Sequence, residues 1–189
     1  MVDLSLHLLD LLQNSAHAGA RTVKVDILES LEHDLLQVTV SDDGKGISSD
    51  ERERILDPFY TSSDRKHVGL GLPLVAQAAE LAGGSLSIED SELGGACVVV
   101  NYKLNHPDRQ PLGDIVATFV SFLAGNPDLR VLFTYCGPNG VYHFDTNSIW
   151  DDIGEDSRNQ LIFLGKVEEE LTQGLYSAGY RPDRGGLVL

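Results

Sequence analysis

Three side chains close to the N-terminus, Asp10, Asn14 and His17, set an acid, an amide and an imidazole at spacings of four and three. Asp3 and His7 continue the series upstream, so five polar positions fall on one narrow stripe of a helix. Leu4, Leu8, Leu11 and Leu12 flank it. A solvated helix face is one reading. The flanking leucines leave little room for solvent, however, and the other reading is a stripe lining a cleft. There a carboxylate and an amide need partners, or their burial costs several kcal/mol. A bound cation supplies one. An asparagine oxygen suits Mg²⁺ that keeps its waters and draws most of its charge compensation from phosphates. Asp10, one turn before Asn14, would reach a water beside such a metal rather than the metal itself, which is where a general base is needed.

Two glycine-bearing loops add to this. In "SDDGKGI" (41–47), Gly44 and Gly46 permit a tight turn and close approach to a flat ligand. Asp42 can accept a hydrogen bond from an exocyclic amine such as that of adenine. Taken alone the segment is equally a plain turn. In "VGLGLPLV" (68–75), Gly69 and Gly71 expose backbone N–H groups at the start of a helix, where the dipole favours an anion. Arg65, Lys66 and His67 gather positive charge just upstream.

The elements that must position these residues follow from periodicity. Residues 3–17 read as a helix ended by Gly19. "TVKVDIL" (22–28) and "LQVTV" (36–40) alternate as half-buried strands. Ser48 with Glu51 forms a capping box for a short helix through Leu56. A helix near 72–82 has Pro73 in its first turn and Gly83-Gly84 at its end. "SLSI" (85–88) and "ACVVVNYKL" (96–104) make a strand pair joined through "LGG" (93–95). This order implies an α/β sandwich, a mixed sheet with its helices on one face. "NHPDRQP" (105–111), with two prolines and several charges, reads as a boundary. Beyond it come a helix (112–124), strands (129–135 and 141–145) around a "GPNG" turn, and a long helix (157–178), a small α/β unit suited to docking or dimerisation. Asp145, Asp151, Asp152, Glu155 and Asp156 form an acidic patch, read as a solvated loop and helix start with a cation site as the alternative.

The 189 residues carry a net charge of −15. A field of that sign disfavours nucleic acid and anionic membrane surfaces. No run approaches the roughly 20 apolar residues of a membrane span, and no secretory leader is evident. Cys97 and Cys136 lie far apart and read as reduced thiols. A cytoplasmic protein is expected.

Together, and in this order, the motifs resemble the GHKL superfamily of histidine kinases, gyrase-type ATPases, heat-shock chaperones and mismatch-repair ATPases. "DLLQNSAHAGA" (10–20) resembles its N box, "DDGKGI" (42–47) its first glycine box, "DPFYTSS" (57–63) its F box and "GLGLPLV" (69–75) its second glycine box. The resemblance covers residues 1–104 and implies the Bergerat fold, which binds ATP and Mg²⁺ beneath a mobile lid. It implies that Asn14 holds Mg²⁺, that His17 is among the residues that bind ATP, that Asp42 holds the adenine amine, and that Gly44 and Gly46 line the base. Residues 61–68 would form the lid and Phe59 anchor it. Gly69 and Gly71 would meet the phosphates, with Lys66, His67 and Leu70 also among the residues that bind ATP.

Two departures bear on activity. Asp10 stands where histidine kinases carry Asn and hydrolysing members Glu. His67-Val68 replaces a Gly-Thr pair, removing a phosphate-contacting hydroxyl. No dimerising hairpin with a phosphorylated histidine is expected, because the sequence opens at the N box. His7, on the nucleotide-binding helix, is a poor phosphoacceptor. The expectation is a regulator that passes phosphate to, or signals its nucleotide state to, a partner protein. A slow ATPase switch is the alternative, as is a non-catalytic ATP-binding subunit of a larger complex, for which small proteins of this kind suggest an iron–sulfur oxidoreductase. A homodimer is a further option.

Overall fold

The computed structural model describes residues 3–55, 71–154 and 159–183. Helix α1 (Leu4–His17) starts where Asp3 accepts the Leu6 N–H at 3.3 Å, and Leu4, Leu8, Leu11 and Leu12 are buried along it. Strands β1 (Thr22–Ser30) and β2 (Leu35–Asp42) pair antiparallel, with Val25 opposite Val40. Helix α2 (Ser49–Ile55) follows its expected capping box, in which the Ser48 hydroxyl donates to Glu51 at 2.9 Å. Helix α3 (Gly71–Leu81) leads to β3 (Ser85–Asp90) and β4 (Ala96–Lys103), an antiparallel pair whose second strand lies along β2.

Helix α4 (Ile115–Gly125), the hairpin of β5 (Arg130–Gly137) and β6 (Gly140–Asp145), α5 (Thr146–Ile153) and α6 (Gln160–Ser177) follow among the described residues. Strand β5 pairs parallel with β1, from Thr22 opposite Arg130 to Leu28 opposite Cys136. The strands among the described residues therefore form one six-stranded mixed sheet, ordered β3-β4-β2-β1-β5-β6. Alternation decides its two sides: Val23, Val25, Ile27, Val38, Val40, Val98, Val100, Val131 and Phe133 are buried beneath the helices. The intervening residues, among them Lys24, Thr39 and Asn101, stay half-buried or exposed on the open face.

The sheet and the core run across the expected boundary at 105–111. Arg109, for all its charge, is buried, and its guanidinium donates to the Leu104 and Gln110 carbonyls at 2.7 and 2.9 Å. The Pro111 carbonyl accepts the Leu4 N–H at 2.9 Å, so this segment lies on the start of α1. Farther in, the buried Tyr135 hydroxyl donates to Glu29 at 2.5 Å, and Phe119 of α4 packs on Phe133 of β5 with ring centroids 4.8 Å apart. The acidic patch is divided among roles. Asp145 caps α5 by accepting the Asn147 N–H and binds Arg130, whose hydrogen bonds hold the Asp145 carboxyl below its usual range. Asp151 and Asp152 lie on α5, Glu155 and Asp156 lie outside the described residues, and no acidic or histidine cluster suited to a metal occurs among the described residues.

Candidate functional site

Asp42 ends β2 with only 5% of its surface exposed. Its Oδ1 accepts the backbone N–H groups of Gly44 (2.9 Å) and Ala96 (3.2 Å), and its Oδ2 accepts the Ser15 hydroxyl at 2.8 Å. These donors offset the cost of removing a carboxylate from water. The turn between β3 and β4 presses close beneath it. A Cβ on Gly95 would lie 2.1 Å from Asp42 Oδ1, so only glycine fits there. A Cβ on Gly44 would lie 2.9 Å from that of Ala18, and the Lys45 N–H donates to the Ala18 carbonyl at 3.1 Å. The first glycine loop is thereby fastened to the end of α1. Gly46 adopts φ +70°, a region open to glycine at little cost.

Asn14, His17, Asp42 and Gly46 all line one cavity of about 140 Å³. Its walls are apolar on both sides: Leu11 and Leu72 come from α1 and α3, Val40 and Val98 from the sheet, and Ile47 from the glycine loop. Ser15 and Lys45 also reach it. The arrangement offers a largely apolar cavity lined also by an anionic acceptor and, from α1, by an amide and an imidazole. Such a cavity suits a planar heterocycle carrying an amine.

Asp10 occupies a different place from the lining residues. A Cβ on Gly71 would lie 3.4 Å from Asp10 Cβ and 3.5 Å from its Oδ2, so its carboxylate faces the N-terminus of α3. The first-turn N–H groups and the helix dipole favour negative charge at that point. The five-residue stripe is thus parcelled out: Asp3 caps α1, His7 is buried beside Leu74 and Leu81 of α3, Asp10 meets the start of α3, and Asn14 and His17 reach the cavity. Burial lowers the His7 imidazole from its ordinary value, against the raising influence of Asp10 and Gln110.

Phe59, Lys66, His67, Gly69 and Leu70, with the expected lid at 61–68, lie outside the described residues. Three parts of the Asp42 setting had no counterpart in the sequence reading: Ser15, Gly95 and the Ala96 N–H. Gly95 left a trace in the adjacent glycines of "LGG", but nothing in the spacing joined that turn to Asp42. No helix among the described residues is long and apolar enough to cross a membrane.

Comparison with known proteins points to one family. Residues 2–106 match the family described as histidine kinase-, DNA gyrase B- and HSP90-like ATPases. The sensor-type histidine kinase PrrB of Mycobacterium leprae is 42% identical over 82 residues, which are 42% of this chain and 18% of that protein. The sensor histidine kinase CpxA of Escherichia coli is 35% identical over 82 residues, 41% of this chain and 18% of the kinase. The chain thus aligns with less than a fifth of the length of these curated relatives. Among solved structures, the ATP-binding domain of PrrB from Mycobacterium tuberculosis is 32% identical with a TM-score of 0.42, covering 52% of this chain and 64% of that one. The match to the family spans more than half of the sequence and takes in the whole Asn14–Asp42 cavity: the chain belongs to the histidine kinase-, DNA gyrase B- and HSP90-like ATPases.

Proposed function

We propose that the cavity binds ATP with Mg²⁺ and that the protein acts as a histidine-kinase-like regulator, passing phosphate or its nucleotide state to a partner protein. One observation carries the reading: Asn14 and Asp42, an amide and a buried carboxylate, open on the same largely apolar cavity. The cavity takes the adenine. Asp42 Oδ2, which among the described residues accepts only the Ser15 hydroxyl, accepts the exocyclic amine. Gly46 and the rest of the loop let the backbone approach the base. His17, which is exposed, donates to the ribose–phosphate side. Asn14 is half-buried and supplies a neutral oxygen to the cation. Mg²⁺, when bound, neutralises phosphate charge. The N-terminus of α3 at Gly71 receives the phosphate chain. Phe59, Lys66, His67, Gly69, Leu70 and the lid enter on the sequence motifs alone.

Phosphoryl transfer in such a site rests on positioning and charge neutralisation. Asp10 is the candidate base for hydrolysis, and its nearness to Gly71 at the start of α3, where the phosphate chain is proposed to lie, supports that role. The purified protein is incubated with γ-labelled ATP, alone and with proteins of the source cell. Label on another protein supports transfer, free phosphate that disappears in Asp10→Asn supports a timer, and neither, with binding intact, supports a passive subunit. Binding itself is tested with a fluorescent ATP analogue. Asp42→Asn is expected to weaken it by about tenfold or more, from the loss of a charge-assisted hydrogen bond. Unaltered affinity in both Asp42→Asn and Asn14→Ala overturns the assignment of the cavity.

A further inference from the structure

On the far side of α4 from the core runs a second groove. Helix α4 reads IVATFVSFLAG and has no charged residue. Ile115, Thr118, Phe119, Phe122 and Leu123 face inward, which leaves Val116 and Val120 half-buried and Ala117, Ser121 and Ala124 exposed. Helix α6 lies alongside and antiparallel. The Tyr180 hydroxyl, just past its end, accepts the Ile115 N–H at 3.1 Å, while Gln160 at its start donates to the Ala124 carbonyl at 2.9 Å. Glu168, Thr172 and Tyr176, each four residues apart, form the facing wall. Between the helices is an open groove of about 330 Å³.

Its floor carries small side chains, its wall carries Glu168, and Asp114 stands at one end. Tyr176, 47% exposed, marks the same end, with the Arg181 guanidinium 5.8 Å over its ring, and Leu161, 79% exposed, lies in the first turn of the same helix at the opposite end. A floor of Ala117 and Ser121 lets a large side chain from outside reach the helix backbone. Apolar anchors at helical spacing fit a channel bounded by two helices. The charge decides the occupant. A second copy would bring its own Asp114 and Glu168 and a net charge of −15 against the same charges, which repels. We infer that the α4–α6 groove is a docking site for a basic amphipathic helix of a partner protein, its apolar face on Ala117 and Ser121 and its lysines or arginines on Asp114 and Glu168. Helix α4 is also tied to the first helix from its inward face, because Thr118 donates to the Ser5 carbonyl of α1 at 3.4 Å. The inference stands apart from the nucleotide reading.

The probe is a synthetic helix of about five turns built from leucine on one face and lysine on the other, titrated into the isotopically labelled full chain. The expected result is amide shifts confined to α4 and α6, with affinity in the micromolar range. Ser121→Trp, which fills the floor without altering charge, should weaken it about tenfold, or 1.4 kcal/mol. Glu168→Lys should weaken it similarly, and binding of the fluorescent ATP analogue should be unchanged in both. A peptide with glutamate in place of lysine should not bind. Absence of binding, shifts elsewhere on the molecule, indifference to Ser121→Trp or equal binding of the glutamate peptide would overturn the proposal. So would a dimer of the full chain dispersed by Ser121→Trp, which makes a second copy the occupant. Binding that arises only in a chain ended at residue 183 would overturn it as well, because the last six residues, RGGLVL, would then be the occupant.

Discussion

Asp42 is held by atoms from three separate stretches: a hydroxyl on α1, a backbone N–H in its own loop and another at the start of β4. The closeness of Gly95 to Asp42 Oδ1, 2.1 Å from a notional Cβ, makes that glycine the most sensitive point. Gly95→Ala should cost about 2–4 kcal/mol of stability, in the range of overpacking that also displaces a hydrogen-bonded buried charge. Denaturant titration would measure the loss, and the fluorescent ATP analogue would bind more weakly to the fraction that folds. His7 gives a pH signature. Its folded-state pKa is lowered by burial, so below about 6.5 the unfolded chain takes up a proton that the folded one does not. Stability should therefore fall as the solution is acidified from about pH 7.5 to 5.5, and the slope should flatten in His7→Leu, read by urea denaturation at each pH. The residue types in the sequence disclosed Asn14 and Asp42 because an amide on a leucine-rich helix and an acid closing a strand are both out of place by composition. They did not disclose Ser15 and Ala96, which lie 27 and 54 residues from Asp42 and reach it only after the chain folds. A backbone N–H has no signature in a sequence.

The elements were legible wherever period or caps spoke. The alternation in β1, β2 and β4 and the leucine spacing in α1 place them to within about two residues, the usual blur of element ends. Helix α5 escaped, since TNSIWDDI is short and acidic and Asp145, its cap, read as part of a solvated patch. Pairing escaped as well. A strand pattern states which face is buried, not which strand lies alongside, and the parallel union of β1 with β5 follows from tertiary packing. The helix α4 is the wedge in that union. Phe119 is fully buried and stacks obliquely on Phe133, so Phe119→Ala should cost about 3–5 kcal/mol and lower the thermal midpoint accordingly.

For the molecule as a whole, the family match ends at residue 106 while the sheet does not. One core cluster joins Leu4 and Leu12 to Phe133, Leu171 and Tyr180. Composition suggested a linker at 105–111 because its charges and prolines resemble one, and Arg109 answers that expectation by spending its guanidinium on two carbonyls. A chain ended at residue 104 loses β5 from the edge of β1 and α4 from the side of α1. It is expected to aggregate or to lack a cooperative unfolding transition, and to bind the ATP analogue weakly if at all. A stable, nucleotide-binding fragment of that length would show that residues 105–183 serve only as an attachment.

The β1–β5 union has a bearing on biosynthesis. Glu29 is made 106 residues before Tyr135, the group that donates to it. At ribosomal speeds of about 5–20 residues per second, that is a delay of roughly 5–20 s during which one long strand has a bare hydrogen-bonding margin. A polypeptide arrested before β5 is made keeps that margin bare and is a substrate for chaperones.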